Sequence, residues 1–225
     1  MACLFAKDVE FQLIRVDSFR GPKRLERPKL HPHGDESVIF DDGLVTLVDS
    51  REILLHIGSA DKYKNQGNKE LFGPGAVERF VIKQWVEVEK NNFSVACADM
   101  VYSLSYLPPD MPLDGGAPAH RQHSERMEEM LQLYDKSAKE LRKLLSIYDQ
   151  KLYEEETEYL VDDKLSLADL AHLHDLDSIA SDPRSASIMA SHVKVNRWWE
   201  KISGRPSWKK VKDLQRPWSA EAPPL

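Results

Sequence analysis

The chain has 225 residues, 41% of them hydrophobic and 30% charged, and its 31 basic against 37 acidic side chains give a net charge of −6. That length and composition suit a globular protein of one large or two small domains, and the acidic balance argues against nucleic acid, whose phosphates need a basic face. With only Cys3 and Cys97, no apolar run of membrane-span length and no basic-then-apolar leader, neither a disulfide framework, a metal site nor a membrane anchor is expected. A reducing cytoplasm is the expected location.

In chain order, Ala2, Leu4, Phe5 and Ala6 read as the tail of an amphipathic helix, and Val9, Phe11, Leu13 and Val16 then alternate with polar residues as a half-buried strand does. "SVIF" and "LVTLV" are joined across Asp41-Asp42-Gly43, a hairpin-type connection. Near "NQGNKELFGPG" the pattern changes from β-type runs to helical spacing. From Ala76 the residues Val77, Val81, Trp85 and Val88 recur helically, and Met127, Leu131, Tyr134, Ala138, Leu141, Leu145, Tyr148 and Leu152 follow 4,3-steps that predict a long bundle helix rather than an isolated coiled coil. In "KLSLADLAHLHDL", Ser166 is placed as an N-cap, Asp169 can return a bond to the cap's own N–H, and Leu165 and Leu170 form a hydrophobic staple. Val193, Arg197 or Trp198, and Ile202 are expected to line a further helix that stops at Ser203-Gly204, before Pro206. The Pro-rich "RPWSAEAPPL" reads as a loosely held tail.

Taken together and in this order, "YLVDDKLSLADLAH" and "SHVKVNRWWEKISGRPSWKKV" resemble the glutathione transferases, and among them the plant phi class. Upstream, "QWVEVEKNNF" is similar to the family's fourth helix, "KDVEFQLIRVD" to its first helix end and second strand, and "DGLVTLVDSREIL" to the strand and helix that hold glutathione. The resemblance covers nearly the whole chain. It implies an α/β thioredoxin-like N-terminal domain, truncated, over residues 1–65, a linker over 66–75, and an all-α C-terminal helical bundle domain over 76–225. It further implies a homodimer that takes glutathione as co-substrate, needs no other cofactor or metal, and binds an apolar electrophile between the two domains.

In the family a strand, a loop with the catalytic serine and half a helix precede the segment that here reads "MACLFAKDVEF", so no catalytic residue is assigned. Cys3 reads as a small buried residue on a helix face, with a role at the thiolate as the alternative. Asp49-Ser50 match the family's Glu-Ser pair at a helix start, where free N–H groups and the helix dipole favour an anion. The resemblance gives Ser50 the γ-glutamyl carboxylate and Asp49 its ammonium; without it the pair reads as an ordinary cap. Lys23 and Arg24 fall near the lysine that meets the glycyl carboxylate, but Pro22 replaces a histidine and Pro28 interrupts the next helix. Glu36-Ser37-Val38 stand where the family has Gln-Val-Pro with a cis proline, and a cis bond before a non-proline costs about 3 kcal/mol, so an altered cysteinyl clamp is expected. His31 and His33 flank a proline without a third ligand and read as a solvated loop. Tyr102 and Tyr106, four apart on one helix face, fall at the family's electrophile pocket, with interdomain packing as the alternative. His172 and His174 receive no site.

Three functions fit these residues: a transferase joining the glutathione thiolate to apolar electrophiles in detoxification and stress response, a transferase-fold protein that binds glutathione or apolar ligands without turnover, and an assembly module like the transferase-like domain of elongation-factor complexes.

Overall fold

Asp41, Asp42 and Gly43 make their turn by local chemistry. In the computed structural model, which describes residues 1–14, 38–60, 63, 70–111, 113 and 124–215, Asp41 Oδ1 accepts the Gly43 N–H at 2.8 Å, and Asp42 Oδ1 accepts those of Leu44 and Val45 at 3.0 and 3.1 Å. Gly43 takes φ +80°, a left-handed conformation that glycine adopts without strain. Strands β1 (Phe40–Asp41) and β2 (Thr46–Leu47) pair antiparallel on either side, with Phe40 opposite Leu47. The hairpin is the expected one, though each strand has only two residues.

The expected helix tail is α1 (Ala2–Ala6), which buries Cys3, Leu4 and Ala6. The strand predicted over Val9–Val16 does not form through residue 14. Val9 is buried and Phe11 sits edge-on to Phe5 at 5.1 Å, whereas residues 12–14 are exposed and pair with no strand among the described residues. Its alternation records burial against α1 rather than a pleat. After the hairpin comes α2 (Ser50–Ser59), capped by Asp49.

The rest is helical: α3 (Ala76–Val88), a π-turn over Glu89–Phe93, α4 (Ser94–Tyr106), α5 (Glu125–Glu154), α6 (Leu167–Ser181), α7 (Pro183–Ala190), α8 (Val193–Ser203) and α9 (Pro206–Gln215). Helix α5 buries the expected stripe from Tyr134 to Leu152, while Met127 and Leu131 are only half-buried. Two stripes keep only part of their expected faces. In α3 Ile82 and Val86 are buried, the expected Trp85 and Val88 pack half-buried against the core, and Val77 is 75% exposed. In α8 the expected Trp198 and Ile202 are buried with Val195, and Val193 is outward. Pro206 ends one helix by opening the next, where its missing N–H has no partner to lose.

The bundle closes around Tyr148 of α5. Its ring stacks on Phe93 of the π-turn at 5.7 Å and meets Trp85, His172 and Trp198 edge-on at 4.9, 5.4 and 6.3 Å. Beside it, fully buried Asp169 accepts hydrogen bonds from the backbone N–H of Leu160 and Ser166 at 2.9 and 2.8 Å, and from Ser166 Oγ and Trp198 Nε1 at 2.9 Å each. The expected capping box is therefore present, but uneven. The Ser166 hydroxyl gives its proton to Asp169 Oδ2 and offers its oxygen only loosely to the Asp169 N–H. Leu165 and Leu170 are both buried, as a staple requires.

Helix α2 lies against α6 and α1 against α9. The first contact depends on Gly58, where a Cβ would lie 2.3 Å from Leu167 Cδ1. These contacts fix the start of α2 relative to the bundle.

Candidate functional site

Helix α2 begins at a cap residue with extended backbone, so its first N–H groups point out of the helix. Asp49 Oδ1 takes those of Arg51 and Glu52 at 2.8 and 3.2 Å. Partial burial pushes the Asp49 carboxyl up, but these two amides, with Lys90 at 3.6 Å and Arg51, hold it below the usual carboxylate range. Ser50 is exposed at the same helix end.

Arg51 places a cation in the first turn, against the helix dipole. The reason lies in the π-turn: Arg51 Nε donates to Glu89 Oε2 at 2.9 Å and Nη2 to Oε1 at 2.8 Å, a bidentate fork, while Nη1 reaches Ser50 Oγ at 3.4 Å. Burial raises the Glu89 carboxyl above its usual range and the Arg51 fork opposes that rise. The Glu89 hydrogen bonds in turn hold the Arg51 guanidinium in its charged form. The extra residue of the π-turn aims both Glu89 and Phe93 inward, and both are buried.

Ser50, Arg51 and Glu89 share a cavity of about 290 Å³ with Cys3, Ser94 and Asp175. Asp175 Oδ2 is buried there without a hydrogen-bond partner among the described residues. Burial pushes the Cys3 thiol up to about 12, and Cys3 is the buried residue on a helix face that its sequence suggests.

Tyr102 and Tyr106 stand on α4, 45% and 53% exposed, with ring centroids 5.1 Å apart at 62°. Arg126 of α5 donates from Nη2 to Tyr102 OH at 2.8 Å, and its Cζ lies 5.1 Å over the Tyr106 ring. Val38 is exposed just before the hairpin. Lys23, Arg24, Glu36 and Ser37, with His31 and His33, lie outside the described residues. Among the described residues no group of three His, Cys, Asp or Glu is placed to hold a metal ion, and no helix is long and apolar enough to cross a membrane.

Sequence reasoning missed Arg51, Glu89, Asp175 and Arg126. Arg51 had a signal, since a cation just inside a helix start needs a partner. His172 was also passed over. It is buried, donates from Nδ1 to Ala168 O at 2.7 Å and accepts from Tyr148 OH at Nε2, 3.0 Å, which fixes the neutral Nδ1–H tautomer and gives it a structural role.

A small α/β unit that presents a capped helix start, docked on an all-α bundle with a buried N-capping aspartate, defines the class as a thioredoxin-like unit joined to a helical transferase domain. The family model for the glutathione S-transferase C-terminal domain matches residues 97–206. Glutathione S-transferase F11 of Arabidopsis thaliana is 32% identical over 214 residues, 95% of this chain and 91% of that protein. Glutathione S-transferase F10 of the same plant is 31% identical, over 92% of this chain and 87% of its own. The crystal structure of poplar glutathione transferase F1 superposes with a TM-score of 0.76 at 35% identity, covering 96% of this chain and 90% of that one. The chain belongs to the glutathione S-transferase family, and within it to the plant phi class.

Proposed function

We propose that the protein joins glutathione to apolar electrophiles, with glutathione anchored at the start of α2. The observation that carries this reading is the Ser50-containing helix end held by the Arg51–Glu89 fork, at the place where the family's glutathione-binding pair stands. Ser50 and its N–H receive the γ-glutamyl carboxylate, and Asp49 Oδ2 faces the ammonium. Lys23 and Arg24 take the glycyl carboxylate and the Glu36–Val38 segment the cysteinyl part. The thiol gives its proton to solvent, the thiolate attacks the electrophilic carbon, a C–S bond forms, and a leaving group such as chloride departs with its bonding pair. Tyr102 and Tyr106 receive the apolar body. We place the protein in the cytoplasm, as a homodimer with a detoxifying or stress-response role and no cofactor beyond glutathione as co-substrate. The exposed Val77 and Phe80, three apart on α3, suit a subunit contact.

A second reading, glutathione binding without turnover, is favoured by one observation: Asp49 already occupies two of the N–H groups that would otherwise face an anion. Retention on glutathione resin and conjugation of 1-chloro-2,4-dinitrobenzene separate the two. Ser50→Ala is expected to weaken glutathione binding by about 1 to 2 kcal/mol, the usual effect of losing a hydrogen bond to a charged group. Unchanged retention would place the anchor elsewhere, and retention without turnover would select the second reading.

A further inference from the structure

Resting on the reading of Tyr102 and Tyr106 as the electrophile subsite, we propose that Arg126 makes this subsite selective for planar aromatic electrophiles carrying a carboxylate or sulfonate. The two tyrosines alone offer an apolar, edge-to-face pair to which a flat ring can stack. Arg126 changes what that pair can recognise. It reaches from the first turn of α5 to α4, donates to the Tyr102 oxygen and lies over the Tyr106 ring. The Tyr102 hydroxyl turns its proton to the Tyr106 oxygen, so the Tyr106 hydroxyl keeps its own proton to donate. One phenol and one guanidinium thus bring hydrogen-bond donors to one edge of an aromatic surface, an arrangement that suits an anionic oxygen on a stacked ring. In agreement, hydrogen bonds with Tyr102 and Arg126 hold the Tyr106 phenol below its usual value, so negative charge is stabilised at this spot.

The competing acid is Glu129, whose Oε2 accepts from Arg126 Nη1 at 3.0 Å. Both side chains of this i,i+3 pair are more than half exposed, so the pair is weak and a ligand anion can share or replace it. The guanidinium alters recognition only, and the C–S bond forms and the leaving group departs as in the neutral case.

The test is fluorescence titration of the full chain with two probes of one shape, 8-anilinonaphthalene-1-sulfonate and the uncharged N-phenyl-1-naphthylamine. Arg126→Gln is expected to weaken the sulfonate about tenfold and the neutral probe less than twofold, Arg126→Lys to restore part of the loss, and Glu129→Gln to tighten the sulfonate. Equal losses for both probes, or no change with either variant, would overturn the proposal. Glutathione-resin retention is read in parallel. Lost retention with intact charge selectivity counts against the glutathione reading, whereas intact retention with charge-blind binding counts against Arg126.

Discussion

His172 should make stability depend on pH. Burial lowers its pKa from 6.5 to about 4, because the imidazolium would have to sit among Tyr148, Phe93 and Trp198 without water. The unfolded chain therefore binds a proton between these values that the folded chain refuses. Stability is fully present above the unfolded pKa and falls as pH drops through 6.5 towards 4. Integrating the two titrations gives a loss of about 2 kcal/mol between pH 7 and pH 5, with a ceiling of about 3 kcal/mol once both states are titrated. Asp169 and Glu89 act in the opposite sense, since burial raises both carboxyls and the folded chain then holds protons better than the unfolded one. A difference measurement removes them. Urea unfolding midpoints are taken from pH 7.5 to 4.5 for the wild type and for His172→Gln, which cannot titrate, with the m-value checked at each pH. The variant should be less stable at neutral pH, yet its stability should fall with acid by about 2 kcal/mol less than that of the wild type. Parallel pH profiles would show that the folded protein accommodates the imidazolium, and the argument would fail.

Three further outcomes follow from buried contacts. Ser166→Ala removes one of the donors to Asp169 and should cost about 1 to 2 kcal/mol in urea unfolding; an unchanged midpoint would mean that the hydroxyl carries none of the cap's stability. Arg51→Met leaves the Glu89 carboxylate buried without its partner and should cost about 3 kcal/mol or more at pH 7, whereas Glu89→Gln leaves a guanidinium that can turn to water and should cost less; equal losses would refute this asymmetry. Gly58→Ala drives a methyl into Leu167 and should lower stability by about 1 to 3 kcal/mol, visible as a lower melting temperature, while a neutral result would show that α2 and α6 can separate freely.

The parts legible in the sequence are those whose causes lie within a few residues. Asp41, Asp42 and Gly43 set the hairpin through side chains that bond their own turn, Ser166 and Asp169 announce a helix start, and the α5 stripe repeats long enough to survive error at its first turn. The misread parts depend on distant partners. Val9 and Phe11 alternate because α1 covers one side of them. Val77 and Val81 continue the spacing of Trp85, yet the bundle buries Ile82 and Val86 beside Trp85 and leaves Val77 outside. Arg51 and Glu89 are 38 residues apart, and Tyr102 and Arg126 are 24 apart, so neither pair leaves a periodic trace. The proposed glutathione anchor rests on likeness and not on its own chemistry, since an Asp-Ser helix start has many ordinary uses.

Both halves of the candidate site hang on one rod, the helical run from Ala76 to Tyr106, and the π-turn within it sets their relation. Glu89 at the turn holds α2 through Arg51, and thirteen positions on, about 20 Å along the axis at 1.5 Å per residue, Tyr102 begins the proposed electrophile subsite. The π-turn fits one residue more into a turn than an α-helix does, and every residue of an α-helix advances it by about 100°. In an uninterrupted α-helix Tyr102 and Tyr106 would face a different direction relative to Glu89. The π-turn also presents Phe93 to the Tyr148 ring, so the packing that seals the bundle holds the turn in place. The irregularity is thus set by the core, and the angle between anchor and subsite is inherited from it rather than from the two-stranded hairpin.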